Sequence, residues 1–81
     1  MPWVELQAKG SSEEPLAVAR LIALAKSRGF GVRVEDQAAL ETGAGRMEIE
    51  PPGIDEQKIA RGAVQALIEE VPGGLDTFTI V

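Results

Sequence analysis

Apolar and polar residues alternate along four short segments of the chain, with the period of two that is typical of strands with one buried face. The pattern predicts strands over PWVELQAK, GVRVED, RMEIEP and LDTFTIV. In the last segment, Thr77 and Thr79 are expected to point outward. The positions expected to face the core are Val4, Leu6, Ala8, Val32, Val34, Met47, Ile49, Phe78 and Ile80.

Two other segments have the wider apolar spacing of amphipathic helices. The first helix is predicted over residues 16–28, between a start rich in serine and glutamate and a glycine, Gly29, that suits a helix end. Its core positions are Val18, Leu21, Ile22 and Ala25. The second helix is expected to be capped by Asp55 and to end at the VPGG segment. Its broad apolar face consists of Ile59, Ala60, Ala63, Val64, Leu67, Ile68 and Val71.

The predicted order of elements is β-α-β-β-α-β. Two right-handed crossovers in one sheet make an α+β ferredoxin-like sandwich, with a four-stranded antiparallel sheet and two helices on one face. The expected strand order is 4-1-3-2, and the 81 residues are expected to form one such domain. The TGAG segment, residues 42–45, is predicted to turn between the second and third strands. The pattern assigns no register to residues 36–41.

Charge and hydropathy disfavour two classes of partner. The formal net charge is −5, with 13 acidic against 8 basic residues, whereas nucleic acids and anionic membranes attract basic surfaces. The longest apolar run is far too short to cross a bilayer, and the N-terminus lacks the features of a signal peptide. We therefore expect a cytoplasmic protein, with no membrane or nucleic-acid partner.

The residue types that carry most enzyme chemistry are scarce. The chain has no cysteine and no histidine, its three serines have no evident base nearby, and no phosphate-binding loop motif occurs. Three outward-facing glutamates, Glu5, Glu48 and Glu50, lack the spacing of a calcium loop. We therefore predict a protein that is not an enzyme and that carries no cofactor and no metal.

The segment Arg28-Gly29-Phe30-Gly31 copies the start of a signature found in RNA-recognition domains. In those domains the motif lies on the third strand, where its aromatic residues stack on bases. Here it lies where the first helix gives way to the second strand, and Phe30 has the parity of the inward-facing Val32. We interpret Gly29 as a helix C-cap, Phe30 as a core residue and Gly31 as the entry to a strand.

The open face of the predicted sheet is the candidate interface. Trp3 is expected on this face, either as an interface anchor or with its ring folded over the sheet edge or packed under a terminus, and the pattern leaves these possibilities open. We predict an interaction or assembly module that forms a homo-oligomer, or binds another protein, through this face or through strand edges. The candidate residues are Trp3, Glu5, Gln7, Arg33, Arg46, Glu48 and Glu50.

Two alternatives belong to other functional classes. The order strand, KGSSEEPL, helix, RGFGVRV resembles that of ACT domains, which implies a regulatory domain binding a small ligand near the first strand–helix loop. The negative net charge is also compatible with an acidic inhibitor that binds a basic partner surface.

Overall fold

We analysed a computed structural model, which describes residues 2–9, 14–41, 43 and 45–81. The elements within these ranges are β1 (Val4–Ala8), α1 (Glu14–Ser27), β2 (Gly31–Val34), α2 (Gln37–Glu41), β3 (Arg46–Glu50), α3 (Gln57–Glu70), α4 (Gly74–Thr77) and β4 (Phe78–Ile80). The first three strands and the two long helices occur where the sequence predicts them, and α2 is additional. The fourth strand is shorter than predicted, because α4 occupies the start of its predicted segment. No described helix has the length and apolarity needed to cross a membrane.

The four strands form one antiparallel sheet in the order β2-β3-β1-β4. This order is the predicted one, with β1 and β3 at the centre. Leu6 is paired with Met47 on β3 and with Ile80 on β4, and Val32 on β2 is paired with Ile49. Directly paired residues lie on the same face of a sheet, so these registers align the apolar positions of all four strands.

The predicted core positions of the central strands are confirmed. Leu6 and Ile49 are fully buried, and Met47 is 1% exposed. These residues belong to one cluster with the apolar residues of α1 and α3, so the sheet and both long helices share a core. The other fully or almost fully buried apolar residues include Val4, Ala17, Val18, Leu21, Ala25, Leu40, Ala60, Val64, Leu67 and Ile68.

The end of α1 confirms the interpretation of the RGFG segment. Gly29 has a left-handed backbone with φ of 79°. Its N–H donates to the carbonyl of Lys26 at 3.1 Å, and the N–H of Phe30 donates to that of Ala25 at 2.9 Å. This pair of bonds is the Schellman C-cap. Phe30 packs partly buried against the core, and β2 begins at Gly31.

The connection from β2 to β3 contains α2, where the sequence assigns no register. Leu40 on this short helix is fully buried. Asp36 caps the helix, because its Oδ1 accepts a bond of 3.2 Å from the N–H of Ala39. Within the predicted TGAG turn, Gly43 has φ of 88° and Gly45 is buried, while residues 42 and 44 lie outside the described part of the chain.

The start and face of α3 correct two predictions. Its N-cap is Glu56, without a side-chain capping bond, so Asp55 lies one residue too early to serve as the predicted cap. Ile59 is 55% exposed, although the pattern assigns it to the apolar face. The buried stripe of α3 is narrower than predicted and includes Ala60, from which Ile59 is turned by about 100° around the helix.

The entry to β4 corrects another prediction. Thr77 is fully buried, not outward-facing, because residues 74–77 are helical and the period of two begins only at Phe78. The Thr77 hydroxyl donates to the carbonyl of Gly73 at 2.8 Å, which satisfies the buried polar group. Phe78 is buried and Thr79 is exposed, as predicted.

Candidate functional site

The seven candidate interface residues all lie on the sheet face opposite the core. The register places Glu5 beside Glu48 and Glu48 beside Arg33, which forms one row across three strands. Gln7 and Arg46 form a second row. Glu50 is paired with Gly31 at the other end of the face, where the indole of Trp3 also lies. The candidate residues therefore lie on one face, and their use as an interface stays a prediction.

Trp3 packs over its own sheet. An added Cβ at Gly31 would lie 3.1 Å from Cη2 of the indole, so the ring extends from the β1 side of the sheet to β2 and rests on the bare backbone there. The guanidinium carbon of Arg33 lies 3.9 Å from the ring centroid, within the range of a cation–π contact. Trp3 is half-buried by these contacts, and its use as an interface anchor stays a prediction.

The charged residues of this face partly neutralise one another. Arg46 lies 3.5 Å from the Glu5 carboxylate, and Glu48 occupies the row between Glu5 and Arg33. A shallow groove of about 410 Å³ runs among these side chains, lined by Glu5, Arg33, Val34, Glu35, Arg46, Met47 and Glu48. Among the described residues, no three acidic side chains are arranged to hold a metal ion.

An ion pair joins the C-terminal ends of α1 and α3. The two terminal guanidinium nitrogens of Arg28, Nη1 and Nη2, contact the Glu70 carboxylate, and the Nη2–Oε1 bond measures 2.7 Å. The hydrogen bond to Arg28 lowers the pKa of Glu70, and the same bond raises the pKa of Arg28. Both side chains are about half exposed, so water screens the pair and its contribution to stability is small.

The sheet ends at two edge strands, β2 and β4, and the apolar face is incompletely covered at β2. In the described residues, β2 is paired only with β3, and β4 is paired only with β1. Val32 and Val34 of β2 pack against the core but remain half-buried, and the exposed Arg33 lies between them on the other face. A single apolar layer therefore reaches the β2 edge without being fully covered.

A second groove, at the β4 edge, is basic and was not predicted from the sequence. It has a volume of about 540 Å³ and is lined by Lys9, Arg61, Gly62, Gln65, Leu75, Phe78, Thr79 and Ile80. The signal available in the sequence was the i,i+4 spacing of Arg61 and Gln65 beside the apolar stripe of α3. Only the return of β4 alongside β1 brings Lys9 to the same place.

Comparisons with models of protein families, with curated protein sequences and with solved structures give no significant match for this chain. Residues 10–13 of the loop on which the resemblance to ACT domains depends lie outside the described residues.

Proposed function

We propose that this protein is a non-enzymatic assembly module that forms a dimer of identical chains by pairing their β2 edges. The observation that supports the proposal most is the pattern of β2 itself. Its free edge combines two half-buried valines with exposed residues of opposite charge, Arg33 and Glu35, on the other face. Such an edge is complementary to a second copy of itself.

The pairing geometry follows from the rules of antiparallel sheets. In a twofold-symmetric antiparallel pair, the residue numbers of every two opposed residues have the same sum. The side chains of two opposed residues lie on the same face of the sheet. A register centred on Val34 brings the two copies of this valine together. The same register sets Arg33 of each copy opposite Glu35 of the other, which gives two ion pairs of opposite charge. A register centred on Arg33 would instead oppose two arginines.

Such a dimer would extend the four-stranded sheet to eight strands and cover the part of the apolar layer that β2 leaves half-exposed. The proposed dimer depends on where the helices lie relative to the sheet. We infer a ferredoxin-like sandwich with α1 and α3 on one face. The strand order and the shared core of the two helices with the inward-facing residues support this arrangement. The opposite face, where Trp3 and Arg46 already have intramolecular partners, contributes less to self-association in this proposal.

Sedimentation equilibrium over a wide range of protein concentration tests the proposal. We expect the wild-type protein to pass from monomer to dimer, and Glu35→Arg to weaken the dimer by roughly tenfold because each Arg33 then faces an arginine. The variant keeps Arg33 in contact with Trp3. The double variant Arg33→Glu/Glu35→Arg restores opposite charges across the interface and should recover much of the affinity.

The matched control is Glu69→Arg, which makes the same change of charge on the exposed surface of α3, away from β2. It should leave the dimer unchanged. A protein that stays monomeric at the highest concentrations overturns the proposed function. A dimer that is insensitive to Glu35→Arg retains self-association but excludes the β2 edge.

A further inference from the structure

The basic groove at the β4 edge has the opposite charge to the molecule as a whole. The chain has a net charge of −5, yet the described residues lining this groove include two cations and no acid. At physiological ionic strength, charges more than about 8 Å apart are largely screened. An approaching ligand therefore senses the local cations more strongly than the distant acidic residues.

Both cations donate hydrogen bonds to main-chain oxygens. The ammonium group of Lys9 donates to the carbonyl of Leu75 at 2.8 Å, and Nη1 of Arg61 donates to the main-chain oxygen of Val81 at 3.1 Å. The Leu75 carbonyl carries no net charge, so Lys9 is oriented without being neutralised. Among the described residues, no aspartate or glutamate side chain lies within ion-pair distance of either cation. Each group uses one N–H in these bonds and has further N–H donors for an anionic group.

The floor of the groove is a strand edge with unused main-chain groups. The N–H of Lys9 donates to the carbonyl of Thr77 at 2.8 Å, and the N–H of Val81 donates to that of Glu5 at 3.0 Å. Hydrogen-bonding direction alternates along a strand, so the residues between, Phe78 and Ile80, direct their carbonyls away from β1. The N–H of Ile80 points the same way, whereas that of Phe78 donates to Gly74. The groove thus presents two acceptors and one donor.

We propose that this groove binds an extended acidic peptide segment of another protein, which adds to the sheet as a strand beside β4. Main-chain bonds to Phe78 and Ile80 align the segment. Its acidic side chains contact Lys9 and Arg61, and its apolar side chains contact Leu75, which is 48% exposed. The site uses the opposite edge of the sheet from β2, so it does not depend on self-association.

The probe is a blocked peptide of alternating glutamate and valine, six residues long, titrated into the isotopically labelled protein and followed by amide chemical shifts. We expect the largest shift changes at the amides of Thr79, Ile80 and Val81, and saturable binding that weakens as salt is added. The same peptide with lysine in place of glutamate should not bind. A peptide methylated on its backbone nitrogens should bind far more weakly, because it lacks the donors that a strand needs.

The double variant Lys9→Gln/Arg61→Gln should weaken peptide binding by about tenfold or more, through the loss of two charge-assisted bonds. Arg20→Gln is the matched control, because it removes an exposed cation from α1 and should leave binding unchanged. Thermal unfolding of both variants verifies that they fold.

Three results would overturn the inference. The first is equal binding of the methylated peptide or of free glutarate, which would show a small-anion site without strand addition. The second is full binding by the double variant. The third is weaker self-association of the double variant than of the wild-type protein, which would show that the groove is a contact between two copies of the chain. A monomeric wild-type protein that still binds the peptide would refute only the proposed self-association.

Discussion

The guanidinium of Arg33 on β2 stacks on the indole of Trp3, which precedes β1, with 3.9 Å between the guanidinium carbon and the ring centroid. Because β3 separates β1 from β2 in the sheet, the contact spans a whole strand. Gly31 makes it possible, since a side chain there would meet the ring. The contact links one end of the chain to an edge strand and half-buries the only tryptophan.

Replacing Arg33 with methionine tests this contact. Arg33→Met keeps an apolar stem but removes the cation, and we expect a loss of about 0.5–1 kcal/mol in the free energy of unfolding. The emission of Trp3 should shift to longer wavelength as water gains access to the ring. Denaturant unfolding at low protein concentration, where the proposed dimer is dissociated, measures both effects. Arg20→Met is the control, and an equal loss in both variants would refute a specific role for the contact.

Gly45 is expected to tolerate no side chain. A Cβ at this position would lie 2.6 Å from Cα of Leu40 and 2.9 Å from the carbonyl carbon of Ala39, both backbone atoms of α2. Gly45→Ala should therefore cost about 2–3 kcal/mol, because α2 must move away from the sheet. Gly62→Ala is the control: its Cβ meets nothing within 4 Å in the exposed middle of α3. That variant should gain about 0.5–1 kcal/mol in chemical denaturation, from helix propensity. A stable Gly45→Ala protein would contradict the close packing of α2.

Leu40 is expected to make α2 part of the folded core. Its side chain is fully buried, so Leu40→Ala should lower the free energy of unfolding by about 2–4 kcal/mol. The same substitution at Leu16, which is 55% exposed on α1, should cost less than about 0.5 kcal/mol. Equilibrium unfolding in urea compares the two. Similar small losses in both variants would mean that α2 contributes little to the core.

The Arg28–Glu70 pair predicts a pH dependence of stability. Because the pKa of Glu70 is lowered in the folded protein, its contribution is present above the pKa of the unfolded chain and is lost as pH falls through the folded value. The melting temperature of Glu70→Gln should therefore lie below that of the wild-type protein at neutral pH. The difference should shrink as the solution is acidified below about pH 4.

Glu69→Gln serves as the control for this pair, because it removes the neighbouring charge without touching Arg28. Added salt should reduce the difference between Glu70→Gln and the wild-type protein, since the pair is exposed. A difference that stays constant from neutral to acidic pH would rule out the ion pair as its cause. The raised pKa of Arg28 has no effect in this range, because the group stays charged throughout.

Local patterns in the sequence were sufficient to predict the strands, the two long helices and the residues that share the open face. The alternation around Leu6 and around Met47 identifies one buried face, because successive side chains of a strand point in opposite directions. Gly29 marks the end of α1 because few other residues accept its backbone conformation. These features depend on neighbours in the chain, so the sequence alone determined them.

Only the tertiary structure decided which isolated residues join the core and which distant ones meet. Leu40 lies in a segment without periodicity, and its burial depends on the fit of Gly45 beneath it. Alternation along the chain predicts the sheet face on which Trp3 lies, but the contact of Trp3 with Arg33 depends on the register of three strands. Lys9 and Arg61 are 52 positions apart and line one groove because β4 returns beside β1. Such contacts arise from packing between elements, which no local pattern encodes.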